Sequence, residues 1–199
     1  NEGGGQVYWW VYEPTQVHQQ LAGSVNFAIG RTVTQMRVNL PLSQVVLDNT
    51  KQIETCAFRV GTDEQSWLDV NNRAFSDHPE QGGWTKEILQ SRQQEPWFSP
   101  NGFLLHHVDN KLAGFCWTKL HPETQPVLGE IYVIAVEPDF AGRGLGRSLT
   151  VAGLQHLAKL GTTVGMLYVD NQNSIALNMY TDLGFTSHHQ QCAFVGDVH

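Results

Sequence analysis

Ile131-Tyr-Val-Ile-Ala-Val-Glu-Pro-Asp-Phe-Ala-Gly-Arg-Gly-Leu-Gly-Arg147 runs from a β-branched, apolar stretch through a glycine-rich turn into a helical pattern. Leu128–Val136 is nearly continuous in apolar residues, which fits a central strand covered on both faces. Gly144–Leu160 reads as a long helix with Leu149, Ala152, Gly153, Leu157 and Leu160 directed inward. Between the two, glycines allow the backbone to come close to a ligand. The helix start presents unpaired N–H groups at the positive end of its dipole, a natural phosphate or pyrophosphate site. Arg143 and Arg147 add cationic donors. No Gly-Lys-[Ser/Thr] follows, so the turn is not a Walker A loop, and its spacing is not G-x-G-x-x-G.

The second informative stretch is Asn173-Ser-Ile-Ala-Leu-Asn-Met-Tyr-Thr-Asp-Leu-Gly-Phe185. It predicts a helix stopped by Gly184. Asn173 and Tyr180 lie about two turns apart at 3.6 residues per turn, so they share a face. Around these stretches the pattern predicts strands over Val7–Tyr12, Thr55–Val60, Phe103–Val108, Lys111–Leu120 and Val164–Val169. Phe27–Leu40 reads as a strand or hairpin, Pro41–Gln52 as a linker, and Phe185–Gln190 with Cys192–Val195 as a closing hairpin. Asp109-Asn110 is a hairpin turn signal. Helices are predicted over Glu13–Leu21, from an Asp63 cap with Trp67, Val70, Ala74 and Phe75 buried, and from a Thr85 cap to about Gln94. The sum is an α/β chain with a mixed sheet.

Composition narrows the function. Nineteen acidic residues against twelve basic ones give a formal charge of −7 over 199 residues. That balance disfavours nucleic acid and anionic membrane as partners and suits an acceptor arriving as an ammonium ion. Cys56, Cys116 and Cys192 are far apart and odd in number, implying no disulfide framework and a cytoplasmic setting. No apolar run reaches the ~20 residues of a membrane span. No metal is expected, because the nine histidines lack ligand spacing. The pairs His106-His107 and His188-His189 alternate on strands and are expected on opposite faces. The first residue is not Met, and the chain is expected to begin within a longer protein.

Both stretches resemble the GNAT acetyltransferase superfamily, whose acyl-CoA signature is commonly written [RQ]-x-x-G-x-[GA]. Positions 141 to 146 read Ala-Gly-Arg-Gly-Leu-Gly, so Ala141 departs from the first position. The resemblance implies acetyl-CoA as cosubstrate. It implies contacts from Ala141, Gly142, Arg143, Gly144, Leu145, Gly146 and Arg147 to the phosphates. Ile134, Ala135 and Val136 would meet the pantetheine amides, beside a bulge that splays neighbouring strands. Asn173, Ser174, Ala176, Leu177 and Asn178 would meet the arm from the later helix. Tyr180 is the implied proton donor to the CoA thiolate.

A narrower resemblance covers residues 55–195. His78-Pro-Glu-Gln-Gly-Gly-Trp84, Glu95-Pro-Trp-Phe-Ser-Pro-Asn-Gly-Phe103, Gly114-Phe-Cys-Trp-Thr-Lys-Leu-His-Pro122 and Gly129-Glu-Ile-Tyr-Val133 look like the mycothiol synthase family. Its members carry two tandem GNAT domains and acetylate the cysteinyl amine of desacetylmycothiol. The resemblance implies residues 51–199 as the catalytic domain and residues 1–50 as the end of a first domain plus linker, in a monomer. Aligning Phe27 with Phe185 sets Trp10 against Tyr168, Thr15 against Asn173 and Ala22 against Tyr180. It also implies acceptor contacts at Glu80, Lys119, Glu130 and Tyr168, with Glu130 as the base. Independently, a carboxylate in an apolar strand must pair with a cation or line a wet cavity. Direct attack by the amine, without an acyl-enzyme, is expected. A protein N-terminal or small-amine acetyltransferase shares all the CoA residues, and a degenerate CoA-binding scaffold is the non-enzyme alternative.

Overall fold

The computed structural model describes residues 4–78 and 81–198. In chain order its elements are β1 (Gly5–Tyr12), α1 (Gln16–Ser24), β2 (Ala28–Asn39), α2 (Gln44–Asp48), β3 (Cys56–Ala57), α3 (Glu64–Ala74) and α4 (Lys86–Gln93). They continue with β4 (Phe103–Val108), β5 (Lys111–His121), β6 (Leu128–Val136), α5 (Leu145–Lys159), β7 (Val164–Asp170), α6 (Ser174–Asp182) and β8 (Thr186–Val198). These elements form two units, Val38–Met166 and Asn1–Arg37 with Leu167–His199, and β7 runs through the boundary. The class is mixed α/β, as the sequence predicts.

In the larger unit the strand order is β7-β6-β5-β4-β3. All neighbours pair antiparallel except β6 and β7, which pair in parallel at Leu128–Glu130 with Val164–Met166. Asp109 and Asn110 turn the β4–β5 hairpin with φ of 50° and 62°. Positive φ at both central residues gives the turn twist that matches paired strands. Alternation along β5 then sorts its two faces. Phe115 and Trp117 point toward α3, where the fully buried Trp67 meets both rings edge-on, at 5.3 and 5.9 Å. Phe103 stacks between Phe58 and Trp117 at 4.4 and 4.3 Å. Cys116 and Thr118 point the other way, toward α5. A Cβ built on Gly153 would lie 2.5 Å from Cys116 Sγ and 2.7 Å from Ile131 Cδ1. The missing side chain is what lets the α5 backbone seat against β5 and β6.

In the smaller unit the order is β1-β8-β2-β7. β8 pairs antiparallel with β1 from Gly5↔Val198 to Tyr12↔Gln191 and with β2 from Ala28↔Val195 to Arg37↔Thr186. Val11, Ala22, Cys192 and Phe194 form its core, with Trp9 and Phe27 packed against them. Thr15 and Asn173 occupy the N-cap positions of α1 and α6, the positions that the Phe27–Phe185 alignment superposes.

Several expectations need correction. The segment after Phe185 is a single strand, not a hairpin, because β8 is flanked on both edges and has no need to fold back, while Phe27–Leu40 takes the strand alternative. Thr55–Val60 yields only a two-residue strand. The 41–52 linker contains α2, capped by the Ser43 hydroxyl. Leu160, expected inward, is 54% exposed because it is the C-cap of α5, beyond the last packed turn. Asp63 stands at the N-cap of α3, but its carboxylate turns back to Arg59, accepting from that residue's backbone N–H and guanidinium. His188 and His189 do not diverge. The β2–β8 register skips a residue between Gln35↔His189 and Met36↔Ser187, and the bulge brings their Nδ1 atoms to 3.0 Å. The β6 register shift faces β5 and falls at Tyr132, between Trp117↔Val133 and Thr118↔Ile131, rather than at residues 134–136.

Candidate active site

The glycine-rich turn has a geometry that could accommodate an anion. Gly142 and Gly144 have φ of +75° and +76°, in the left-handed region, and a Cβ at either would meet nothing within 4 Å. Backbone conformation, not crowding, therefore demands glycine here, and the space beside the turn is open. Gly144 is also the N-cap of α5 and has no side chain to cap the helix. The N–H groups of Leu145, Gly146 and Arg147 are left for an outside acceptor. Two flanking contacts fix the turn. Arg73 of α3 pairs with the buried Glu137 and with Asp139 at 3.3 Å. Ser148 Oγ donates to Lys51 O at 2.7 Å.

The two arginines differ. Arg143 is exposed, lies over the Phe140 ring at 5.0 Å and donates to Asp139 O at 3.2 Å. Arg147 spends its Nε on Thr50 Oγ1 at 3.0 Å. Ala141 donates its N–H to Pro138 O at 3.1 Å and so has no donor left for a phosphate. These donors fit the diphosphate of a CoA-type cosubstrate.

Next to the turn in sequence, one face of β5 and β6 gathers polar groups. Lys119 and Glu130 are register partners. The ammonium of Lys119 lies over the rings of Trp97 at 4.7 Å and Tyr132 at 5.7 Å. Glu130 is 7% exposed, which requires a partner. That partner is His121, whose Nε2 is 2.7 Å from Glu130 Oε2 and whose Nδ1 is 3.1 Å from Glu123 Oε1. The hydrogen bond to Glu130 holds the His121 pKa above its usual range, against an opposing effect of burial. Burial raises the Tyr132 phenol as well.

In the smaller unit, Asn173 Oδ1 accepts from Ala176 N at 3.0 Å, which orients its Nδ2 as the donor toward a ligand. Ser174 spends its backbone N–H on Gln172 O, while the Ser174 and Asn178 side chains are exposed and Ala176 and Leu177 are half-buried. Tyr180 is buried, 5.6 Å from the Phe185 ring. Tyr168 is 40% exposed, and its hydroxyl accepts from Gln35 Nε2 at 2.8 Å.

The larger unit thus brings together Glu130 and Lys119, and carries the turn with Ile134, Ala135 and Val136 at the end of β6. Asn173, Tyr168 and Tyr180 belong to the smaller unit. Glu80 lies outside the described residues. Sequence reasoning did not single out His121 and Trp97, which contact Glu130 and Lys119. Both stood inside quoted motifs, but their partners lie across a strand pair or a loop. Among the described residues no helix is long and apolar enough to cross a membrane, and no group of three His, Cys, Asp or Glu could hold a metal ion.

Comparison with known proteins follows the same lines. The Acetyltransferase (GNAT) family matches residues 64–185. A mycothiol acetyltransferase of Thermomonospora curvata is 46% identical over 185 residues, spanning 92% of this chain and 61% of that protein. One of Acidimicrobium ferrooxidans is 44% identical over 199 residues, spanning 97% of this chain and 63% of that protein. The chain therefore covers less than two thirds of these relatives' length. Among solved structures, a GCN5-related N-acetyltransferase from Sphaerobacter thermophilus superposes with a TM-score of 0.78 at 19% identity, covering 98% of this chain and 61% of that one.

Proposed function

Because this chain belongs to the acetyltransferase (GNAT) family, we propose that its residues 51–199 move an acetyl group from acetyl-CoA to the cysteinyl amine of desacetylmycothiol. The observation carrying the acceptor assignment is the identity of 46% and 44% to mycothiol acetyltransferases over more than nine tenths of the chain. The polar face around Glu130 and Lys119 supports it, since an aminoacyl sugar needs an acid for its ammonium and donors for its hydroxyls.

Acetyl-CoA, when bound, supplies the thioester. The N–H groups of Leu145, Gly146 and Arg147 with the guanidinium of Arg143 hold its diphosphate, and glycines 142 and 144 keep side chains out of the way. Main-chain groups of Ile134, Ala135 and Val136 would meet the pantetheine amides, and an N–H near Ala135 would face and polarise the thioester carbonyl. Asn173 Nδ2 steadies the arm. Glu130 receives the acceptor ammonium and removes its proton, directly or through water, because only the neutral amine attacks. Lys119, Tyr168 and Glu80 bind the sugar portion. The N–C bond forms as the C–S bond breaks, the nitrogen gives up its second proton to solvent, and Tyr180 donates its proton to the sulfur and regains one from water. A phenol with a pKa near 10 is a suitable donor to a departing thiolate. Cys116 is buried and its thiol is pushed up in pKa, which disfavours it as an acyl-carrying nucleophile.

The test is mass spectrometry of acetyl-CoA incubated with desacetylmycothiol and the protein, alongside a longer two-domain relative. An N-acetylated product carries the proposal. No product from this chain at saturating substrates, while the relative turns over, overturns it. Acetylated test peptides with the thiol sugar untouched would favour a protein N-terminal acetyltransferase instead.

A further inference from the structure

We propose that His121 is the positioning residue for Glu130, a two-sided clamp that fixes Oε2 of that carboxylate and leaves Oε1 for the acceptor amine. The inference rests on the assignment of Glu130 as the group receiving the ammonium. His121 closes β5, two residues beyond Lys119, and Glu123 follows in the turn toward β6. Its ring spans two carboxylates, with Nε2 at 2.7 Å from Glu130 Oε2 and Nδ1 at 3.1 Å from Glu123 Oε1. Carboxylates accept hydrogen bonds, so a ring bridging two of them calls for an N–H on both nitrogens, the form that the raised His121 pKa favours.

The geometry separates three jobs. Glu130 Oε1 makes no hydrogen bond to the described residues, Glu130 Oε2 is tied to the ring, and Glu123 anchors the far side of that ring from a position 68% exposed to solvent. The Lys119 ammonium, which would otherwise compete for Glu130, is held over Trp97. Lys119 also opposes the charge on His121, and Glu130 and Glu123 outweigh it. The Tyr132 phenol also feels the charge of Glu130, together with those of Arg92 and Glu95.

The clamp has a pH limit. A neutral imidazole has one N–H, so above the raised His121 pKa the ring must let go of one carboxylate. Below that pKa both bonds hold. A carboxylate free to rotate presents its lone pairs to the amine less often, and misplacement by about 1 Å costs on the order of 100-fold in rate.

The test combines kinetics with imidazole NMR on the whole chain. In the wild type, the His121 ring should titrate above 6.5, and Glu130→Gln or Glu123→Gln should each move that titration down. His121→Phe should lower kcat/KM for the acceptor by about 10- to 100-fold, with KM for acetyl-CoA unchanged. His121→Gln, which can still donate to Glu130, should recover part of the loss. The alkaline fall-off tied to His121 should vanish in both variants. Thermal melts report whether His121→Phe folds. A folded His121→Phe with wild-type acceptor kcat/KM overturns the clamp, and so does a His121 titration indifferent to Glu130→Gln. If the wild type acetylates no desacetylmycothiol but the coupled titration is present, the acceptor assignment falls and the clamp stands on the NMR.

Discussion

Lys119 and Glu130 face each other directly across β5 and β6, yet no ion pair joins them. The ammonium sits 4.7 Å from the Trp97 ring centre, and the carboxylate hydrogen-bonds His121. A cation over an aromatic face keeps its charge without consuming the acid. The acid therefore stays available for a second, incoming cation.

Replacing Lys119 with Met should raise KM for the acceptor by about 10-fold, the cost of one charge-assisted hydrogen bond. KM for acetyl-CoA should not change. Steady-state kinetics with each substrate varied in turn checks this. Equal effects on both would remove Lys119 from the acceptor side.

Gly144→Ala forces a side chain into the left-handed region, at a cost of about 1–2 kcal/mol. Open space beside Gly144 means that strain, not collision, is responsible. The turn should relax away from its anion-binding shape. Isothermal titration should show CoA affinity falling by about 10-fold, while acceptor binding is retained.

Tyr180→Phe removes a hydroxyl from a buried ring. If that hydroxyl protonates the leaving sulfur, kcat should fall by about 100-fold or more with both KM values nearly constant. A kcat within twofold of wild type would dismiss Tyr180 as the acid.

Gly153→Ala should destabilise the protein by about 1–3 kcal/mol through overpacking. The new methyl would lie 2.5 Å from Cys116 Sγ and 2.7 Å from Ile131 Cδ1, side chains that must shift to admit it. Scanning calorimetry should show Tm lowered by several degrees, about 2–4 °C per kcal/mol at this size.

Asp63 gives an acid-side signature. Its hydrogen bond from the Arg59 guanidinium holds its carboxyl below the usual range, against the opposing effect of burial. A depressed folded pKa means that the stabilisation is complete above the unfolded value near 3.9 and is lost as pH falls through the folded one. Wild type should therefore lose its advantage over Asp63→Asn as pH drops below about 4, as read by urea unfolding at a series of pH values.

The legible parts of this protein were local. The glycine turn, the strand before it and the helix after it follow from an apolar run, left-handed glycines and a helical stripe, and each appears where the sequence puts it. The Asp109-Asn110 hairpin is equally local. Reading was weaker where partners are distant. The bulges at His188 and Tyr132 change which way neighbouring side chains lean, and register depends on the opposite strand. Asp63 has the composition of a cap, but Arg59 supplies a stronger, charged partner and turns it away.

The amino-acid order by itself determined the groups on offer: a glycine-rich turn at 142–147 opening a helix, a phenol at 180 and a carboxylate at 130. Tertiary structure alone decided how that carboxylate is held, because His121, Glu123 and Glu130 meet only after β5 and β6 pair. Short-range φ preferences and hydrophobic periodicity are written in consecutive residues. A hydrogen bond across a strand pair depends on register, which no single segment carries.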